Sequence, residues 1–180
     1  MDVSNTRYTA TAKALHWLIV ILVLAQFVVA ALMPHIGRNT VAGTVINLHF
    51  SLGVLILLVM AVRLVHRFRH PVPLEMPESP AWEHGLAYAS QIVFYLMLLV
   101  GPVLGWASAS AHNLRVTVFG LVTLPDLAAP KTRWALVAGD VHTWMMWTLL
   151  GLIAIHAAAG LYHYFVLHDR VLQRMLPERS

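Results

Sequence analysis

A nearly uninterrupted apolar segment, residues 141–167, constrains the fold of this 180-residue chain more than any other feature. It is long enough to cross a bilayer as an α-helix, which takes about 20 apolar residues. It also carries His142, His156 and His163. Ionisable side chains inside a membrane helix are costly and commonly functional, so these three histidines are candidate site residues.

The composition extends this conclusion to the whole chain. Hydrophobic residues make up 59% and charged residues only 11%, which is too apolar for an ordinary soluble domain. No polar stretch is long enough to fold separately, so residues 1–180 are predicted to form one all-α, membrane-embedded domain. The expected helices span about residues 12–33, 44–65, 86–107 and 141–167. The absence of cysteine excludes disulfides, iron–sulfur clusters and covalently attached c-type haem.

The distribution of basic residues predicts the orientation in the membrane. One side of the four helices collects eight basic residues: Arg7, Lys13, Arg63, Arg67, Arg69, Arg170, Arg174 and Arg179. The other side collects four: Arg38, Arg115, Lys131 and Arg133. Because basic residues accumulate on the cytoplasmic side, both termini are predicted to be cytoplasmic.

This orientation sorts four histidines into two pairs. His142 and His156 are 14 residues apart, which places them about 21 Å apart along the helix and about 40° apart around it. His16 lies near the inner face and can pair with His156. His49 begins the second helix near the outer face and can pair with His142.

Two pairs of imidazoles in a four-helix bundle are the arrangement expected for two low-spin b haems held between facing helices. With both axial positions taken by histidine, such a haem carries electrons. Arg63 lies 14 residues after His49, so it is expected to reach the inner haem and pair with a propionate. Two alternatives remain open: the histidines are interfacial polar residues, or they line a metal transporter.

Two further patterns concern the surroundings of these pairs. His163 is seven residues after His156, which places it about 10 Å further along nearly the same face, as an interfacial histidine or as a hydrogen-bond or proton partner for quinone. Gly101 and Gly105 give the third helix a small-residue face that another helix can approach closely. The segment FGLVTLP in the longest connection is expected near the membrane surface.

Several of these motifs occur together in a known family. They are His16-Trp17, His49 with LVMAVRL ending at Arg63, FGLVTLP, His142, HAAAGLYHYF and RMLP. In this combination the chain resembles the bacterial cytochrome b561 family, which shares a four-helix di-haem core with the cytochrome b subunits of nickel–iron hydrogenases and formate dehydrogenases. The resemblance implies that His16, His49, His142 and His156 are the haem ligands. It also implies that His163 lies near a quinone site.

The resemblance further implies superoxide oxidation at the outer face, with electrons passing through both haems to ubiquinone in the bilayer. The outer basic residues Arg38, Arg115, Lys131 and Arg133 are candidates for steering the anion, or are ordinary solvated loop charges. An alternative function is an electron-transfer subunit or relay between a periplasmic redox partner and quinone. No nucleic-acid partner is expected. Family members often have extra histidines in the third helix, where this chain has Tyr88 and Gln91.

Overall fold

A computed structural model of the chain describes residues 8–37, 40–71, 80–169 and 171–176. These residues form four α-helices and one short hairpin. In chain order the elements are α1 (Ala10–Leu32), α2 (Thr44–Arg69), α3 (Ala81–Ala111), β1 (Thr117–Val118), β2 (Val122–Thr123) and α4 (Arg133–Phe165). Each helix contains an apolar stretch long enough to cross a membrane. The four membrane helices expected from the sequence are therefore confirmed.

Three of the helices extend beyond the predicted limits at one end or both. α2 ends at Arg69 rather than near residue 65, α3 spans 81–111 rather than 86–107, and α4 spans 133–165 rather than 141–167. Hydropathy shows where the apolar stretch ends, whereas backbone hydrogen bonding continues into the polar flanks. The last turn of α2 contains His66, Arg67 and Arg69, and these groups are favourable at a helix C-terminus because they oppose the negative end of the dipole.

The centre of the bundle is a shared apolar core. All four helices contribute buried side chains to it: Ile19, Leu22, Val23, Ile56, Met60, Leu98 and Leu149. A small-residue contact between α3 and the start of α4 uses Ala107, Ala111 and Ala135. This contact explains why α4 begins before its apolar stretch, since the early alanines pack closely against α3.

The connection between α3 and α4 folds into a two-stranded antiparallel hairpin that the sequence did not predict. Phe119 and Gly120 form its turn with positive φ angles of 48° and 72°. The N–H of Phe119 donates to the hydroxyl of Ser51 at 2.8 Å, and that hydroxyl donates to the carbonyl of Asn47 at 2.7 Å. Because Ser51 lies in α2, these bonds fix the FGLVTLP segment to the end of the bundle where α2 begins.

Helix α4 is packed asymmetrically. Its backbone lies close to α3, whereas in the described parts of the chain it makes no comparably close backbone contact with α1 or α2. α1 packs on α2, and α2 packs on α3. The two ligand-candidate histidines of α4 therefore face helices that its backbone does not touch.

Candidate metal-cofactor sites

One histidine pair lies at the end of the bundle where α2 and α4 begin. This end is called the outer end, and the opposite one the inner end, after the orientation predicted from the sequence. The rings of His49 and His142 have centroids 6.3 Å apart and planes inclined by 86°. Two imidazoles that each bond one metal at about 2 Å would have their centroids about 6 Å apart. Both side chains are partly buried, and the spacing suits a metal ion held between them.

The orientation of His142 is fixed by α3. Its Nδ1–H donates to the carbonyl of Gly101 at 2.8 Å, which leaves Nε2 as the nitrogen available to a metal. A Cβ atom on Gly105 would lie 3.2 Å from Cε1 of the same ring. The two glycines thus serve different purposes: the carbonyl of Gly101 binds the imidazole, and the missing side chain of Gly105 makes room for it.

Gln26 is a site residue that the sequence analysis missed. Its amide nitrogen lies 3.1 and 3.3 Å from the two ring nitrogens of His49 and donates to the His49 carbonyl at 3.1 Å. Its Oε1 is buried and has no hydrogen-bond partner among the described residues. The signal was present, because Gln26 is an amide in the middle of an otherwise apolar stretch of α1.

The second pair lies at the inner end of the bundle, where α1 begins and α4 ends. His16 is close enough to His156 and to Arg63 to interact electrostatically with both. The ring of Phe94 packs edge-on against His156 with centroids 5.3 Å apart. Nη1 of Arg63 donates to the carbonyl of Ala12 at 3.2 Å, so the guanidinium reaches the inner level as expected.

The chemistry of the donor set favours a cofactor that brings most of its own ligands. Among the described residues no three or more His, Cys, Asp or Glu side chains come together as a metal site. Two imidazoles alone leave a zinc or similar ion short of the four protein ligands that a structural site provides. A haem iron already has four porphyrin nitrogens and needs only axial ligands, so the paired histidines fit a haem better than a bare ion.

His163 forms an ion-pair contact at the end of α4. Its Nδ1 lies 2.5 Å from Oδ2 of Asp169, and Oδ1 of Asp169 accepts from the N–H of Val171 at 3.0 Å. Burial raises the pKa of the Asp169 carboxyl, but the hydrogen bonds from His163 and Val171 outweigh it and hold that pKa below its usual value. Asp169 is therefore anionic at neutral pH and fixes one nitrogen of the His163 ring.

The described C-terminal residues 166–169 and 171–176 lie near the inner pair. The indole N–H of Trp17, next to His16, donates to the carbonyl of Met175 at 2.9 Å. The side chain of Leu172 lies near Gly160, where an added Cβ would be 3.9 Å from it. This segment joins α1 to the end of α4.

The basic residues predicted at the outer face are only partly placed by the structure. Arg115 follows α3, and Lys131 and Arg133 lie at the start of α4; all three are exposed at the outer end of the bundle. Arg115 lines an open cavity of about 420 Å³, whose other lining residues are Thr40, Val41, Ala42, Asn47, Asn113, Leu114 and Thr117. Arg38 lies outside the described residues.

The chain is similar to known proteins over nearly its whole length. The chain is 28% identical to cytochrome b561 homolog 2 of Escherichia coli (strain K12), over 100% of this chain and 97% of the relative. It is 28% identical to the probable superoxide oxidase CybB of Yersinia pestis, over 97% and 98%. It is 29% identical to cytochrome b562 of Cereibacter sphaeroides, over 96% of each chain. The family model for prokaryotic cytochrome b561 matches residues 7–178, so the chain belongs to this family of multi-pass bacterial membrane proteins, which transfer electrons by means of b-type haem.

Proposed function

We propose that this protein carries electrons across the inner membrane through two b haems, from superoxide at the periplasmic face to ubiquinone in the bilayer. His49 and His142 would hold the outer haem, and His16 and His156 the inner one. The observation that carries the proposal is the outer pair, whose ring centroids are separated by 6.3 Å and whose rings come from helices without close backbone contact.

The surrounding residues support axial ligation by the outer pair. The carbonyl of Gly101 holds the tautomer of His142 that leaves Nε2 for iron, and such second-shell bonds also increase the basicity of a ligand. Gln26 restrains His49 from the neighbouring helix α1. When bound, the haem would supply a one-electron carrier, and His49 and His142 would hold it with their rings oriented by Gln26 and the carbonyl of Gly101.

Superoxide is the proposed donor because the outer end is open and basic. The cavity beside Arg115 is accessible, and Lys131 and Arg133 add positive charge at the same end. Two superoxide anions would each lose one electron and leave as dioxygen. Ubiquinone would take both electrons and two protons to become ubiquinol. The name of the Yersinia pestis relative, a probable superoxide oxidase, supports this choice.

Ubiquinone is proposed to react at the inner end. His163 lies beyond the inner pair, and its Nδ1 is hydrogen-bonded to the anionic carboxylate of Asp169. This contact fixes the ring, and Nε2 is the nitrogen that would hydrogen-bond a quinone oxygen. The excess of basic residues at this end supports its assignment to the cytoplasmic side.

The proposal predicts direct reduction of the protein by superoxide. Stopped-flow mixing of superoxide with the oxidised protein should reduce the haems without any partner, and added ubiquinone should reoxidise them. Absorbance in the haem bands measures both steps. If the haems stay oxidised with superoxide but are reduced by a periplasmic redox protein, the function is that of a relay.

A second prediction concerns the outer charges. Replacing Lys131 and Arg133 together by glutamate should slow haem reduction by superoxide about several-fold at low salt, because both residues attract the anion. The difference should shrink as ionic strength rises, since exposed charges are screened. Arg69→Glu, an exposed change at the opposite end, serves as the control. Equal rates for the double variant and the control at low salt would contradict steering by these residues.

A further inference from the structure

A narrow basic cavity lies at the inner end of the bundle, between the start of α1, the end of α2 and α3. Its volume is about 20 Å³, and its mouth opens to the surroundings of the bundle. Its lining residues are Tyr8, Thr9, Ala12, Arg63, His66, Arg67, His70, Gln91 and Tyr95. None of these described lining residues is acidic. The cavity therefore concentrates positive charge without a carboxylate of its own.

Several donors of the described lining residues are engaged, but a buried nitrogen of Arg67 is not. Arg63 donates to the carbonyl of Ala12, and Nε2 of His66 lies 3.3 Å from the hydroxyl of Thr9. His66 and His70 stack on each other with centroids 4.4 Å apart. Nη1 of Arg67, in contrast, is buried and has no hydrogen-bond partner among the described residues. A buried guanidinium nitrogen without an acceptor is costly, so this atom needs one, and an anionic oxygen is the acceptor that binds a guanidinium most strongly.

The position of Arg67 in the membrane identifies the class of oxyanion. Arg67 is one turn beyond Arg63, about 6 Å further toward the inner surface. At the same end of the bundle, α3 begins with the exposed aromatic side chains of Trp82 and Tyr88, and such residues mark the headgroup level of a bilayer.

We propose that this cavity binds the phosphate of an anionic phospholipid, with Arg67 as its main ligand. Basic pockets between membrane helices on the cytoplasmic side suit lipid headgroups, and a guanidinium offers paired N–H donors to phosphate oxygens. The start of α1 contributes the positive end of its dipole, since Thr9 caps that helix and lines the cavity. The assignment is independent of the electron donor and acceptor.

Native mass spectrometry of the haem-loaded protein tests the proposal. Phosphatidylglycerol and phosphatidylcholine would be titrated separately into the detergent-solubilised full-length chain. The wild type should retain one phosphatidylglycerol in preference to phosphatidylcholine. Arg67→Gln should weaken this retention roughly tenfold or more, because a charge-assisted bond is lost. Arg69→Gln removes the same charge from an exposed position two residues away and should retain the lipid like the wild type.

Any of the following results would overturn the proposal. Equal retention of the two lipids by the wild type excludes a site for anionic lipid, and this measurement needs no variant that has to fold. Equal weakening by Arg67→Gln and Arg69→Gln indicates general surface charge. Unchanged retention in Arg67→Gln, with a shifted midpoint potential of one haem, assigns Arg67 to a haem propionate. Displacement of the lipid by inorganic phosphate indicates a site for free phosphate.

Discussion

Replacing His49 by alanine should leave the purified protein with about half of the wild-type haem, because one of the two proposed haems would lose a histidine that holds it. His142→Ala should give the same result and remove the same haem. His16→Ala and His156→Ala should remove the other one. A pyridine haemochrome assay gives the haem content, and a redox titration followed by absorbance identifies which midpoint potential has disappeared.

The pairing scheme is tested by comparing the four variants. His35→Ala is the control, since His35 is exposed between α1 and α2 and should leave both haems in place. Because the rings of His49 and His142 lie next to each other, variants of the two residues should lose the haem with the same midpoint potential. If His16 and His49 variants lose the same one, the pairing is wrong, and the ligands instead come together on α1 and α2.

The sequence predicted the number of helices and the ends at which the histidines lie, for a simple physical reason. Helices in lipid must be long and apolar, and each residue of a helix adds the same rise along its axis. The number of residues between His142 and His156 therefore gives their difference in depth directly. The same regularity placed Arg63 at the inner level, where its guanidinium is found. Hydropathy did not predict where α2 ends or where α4 begins, because the polar flanks remain helical beyond the apolar stretch.

Contacts that depend on tertiary packing were not predictable in the same way. The hairpin at β1 and β2 is held by the hydroxyl of Ser51, which is 68 residues from Phe119 in the chain. The contact of Asp169 with His163 requires the C-terminal segment to turn back under α4. Gln26 stood out as a polar side chain in an apolar helix, but its partner His49 belongs to a different helix. No local pattern encodes these pairings.

The glycine at position 105 illustrates how a weak sequence pattern becomes a specific requirement. Gly101 and Gly105 predicted only a close helix contact, and the structure shows that the approaching helix is α4. A Cβ on Gly105 would lie 3.2 to 3.6 Å from three atoms of the His142 ring. An alanine there needs only a small shift of the ring, whereas a leucine would displace it from the position in which it faces His49.

We therefore expect Gly105→Leu to lose the outer haem and keep the inner one, although its helices should still form. Gly105→Ala should keep both haems. Gly85→Leu is the matched control, because it lies in the same helix and an added Cβ there has no neighbour within 4 Å. Haem content and redox titration measure the loss, and circular dichroism checks the helices.

A Gly105→Leu protein with both midpoint potentials unchanged would show that His142 does not need its present position to support the outer haem. Loss of the same midpoint potential that His142→Ala removes would instead connect the small-residue face of α3 to electron transfer. This face is what allows the imidazole of His142 on α4 to approach α2.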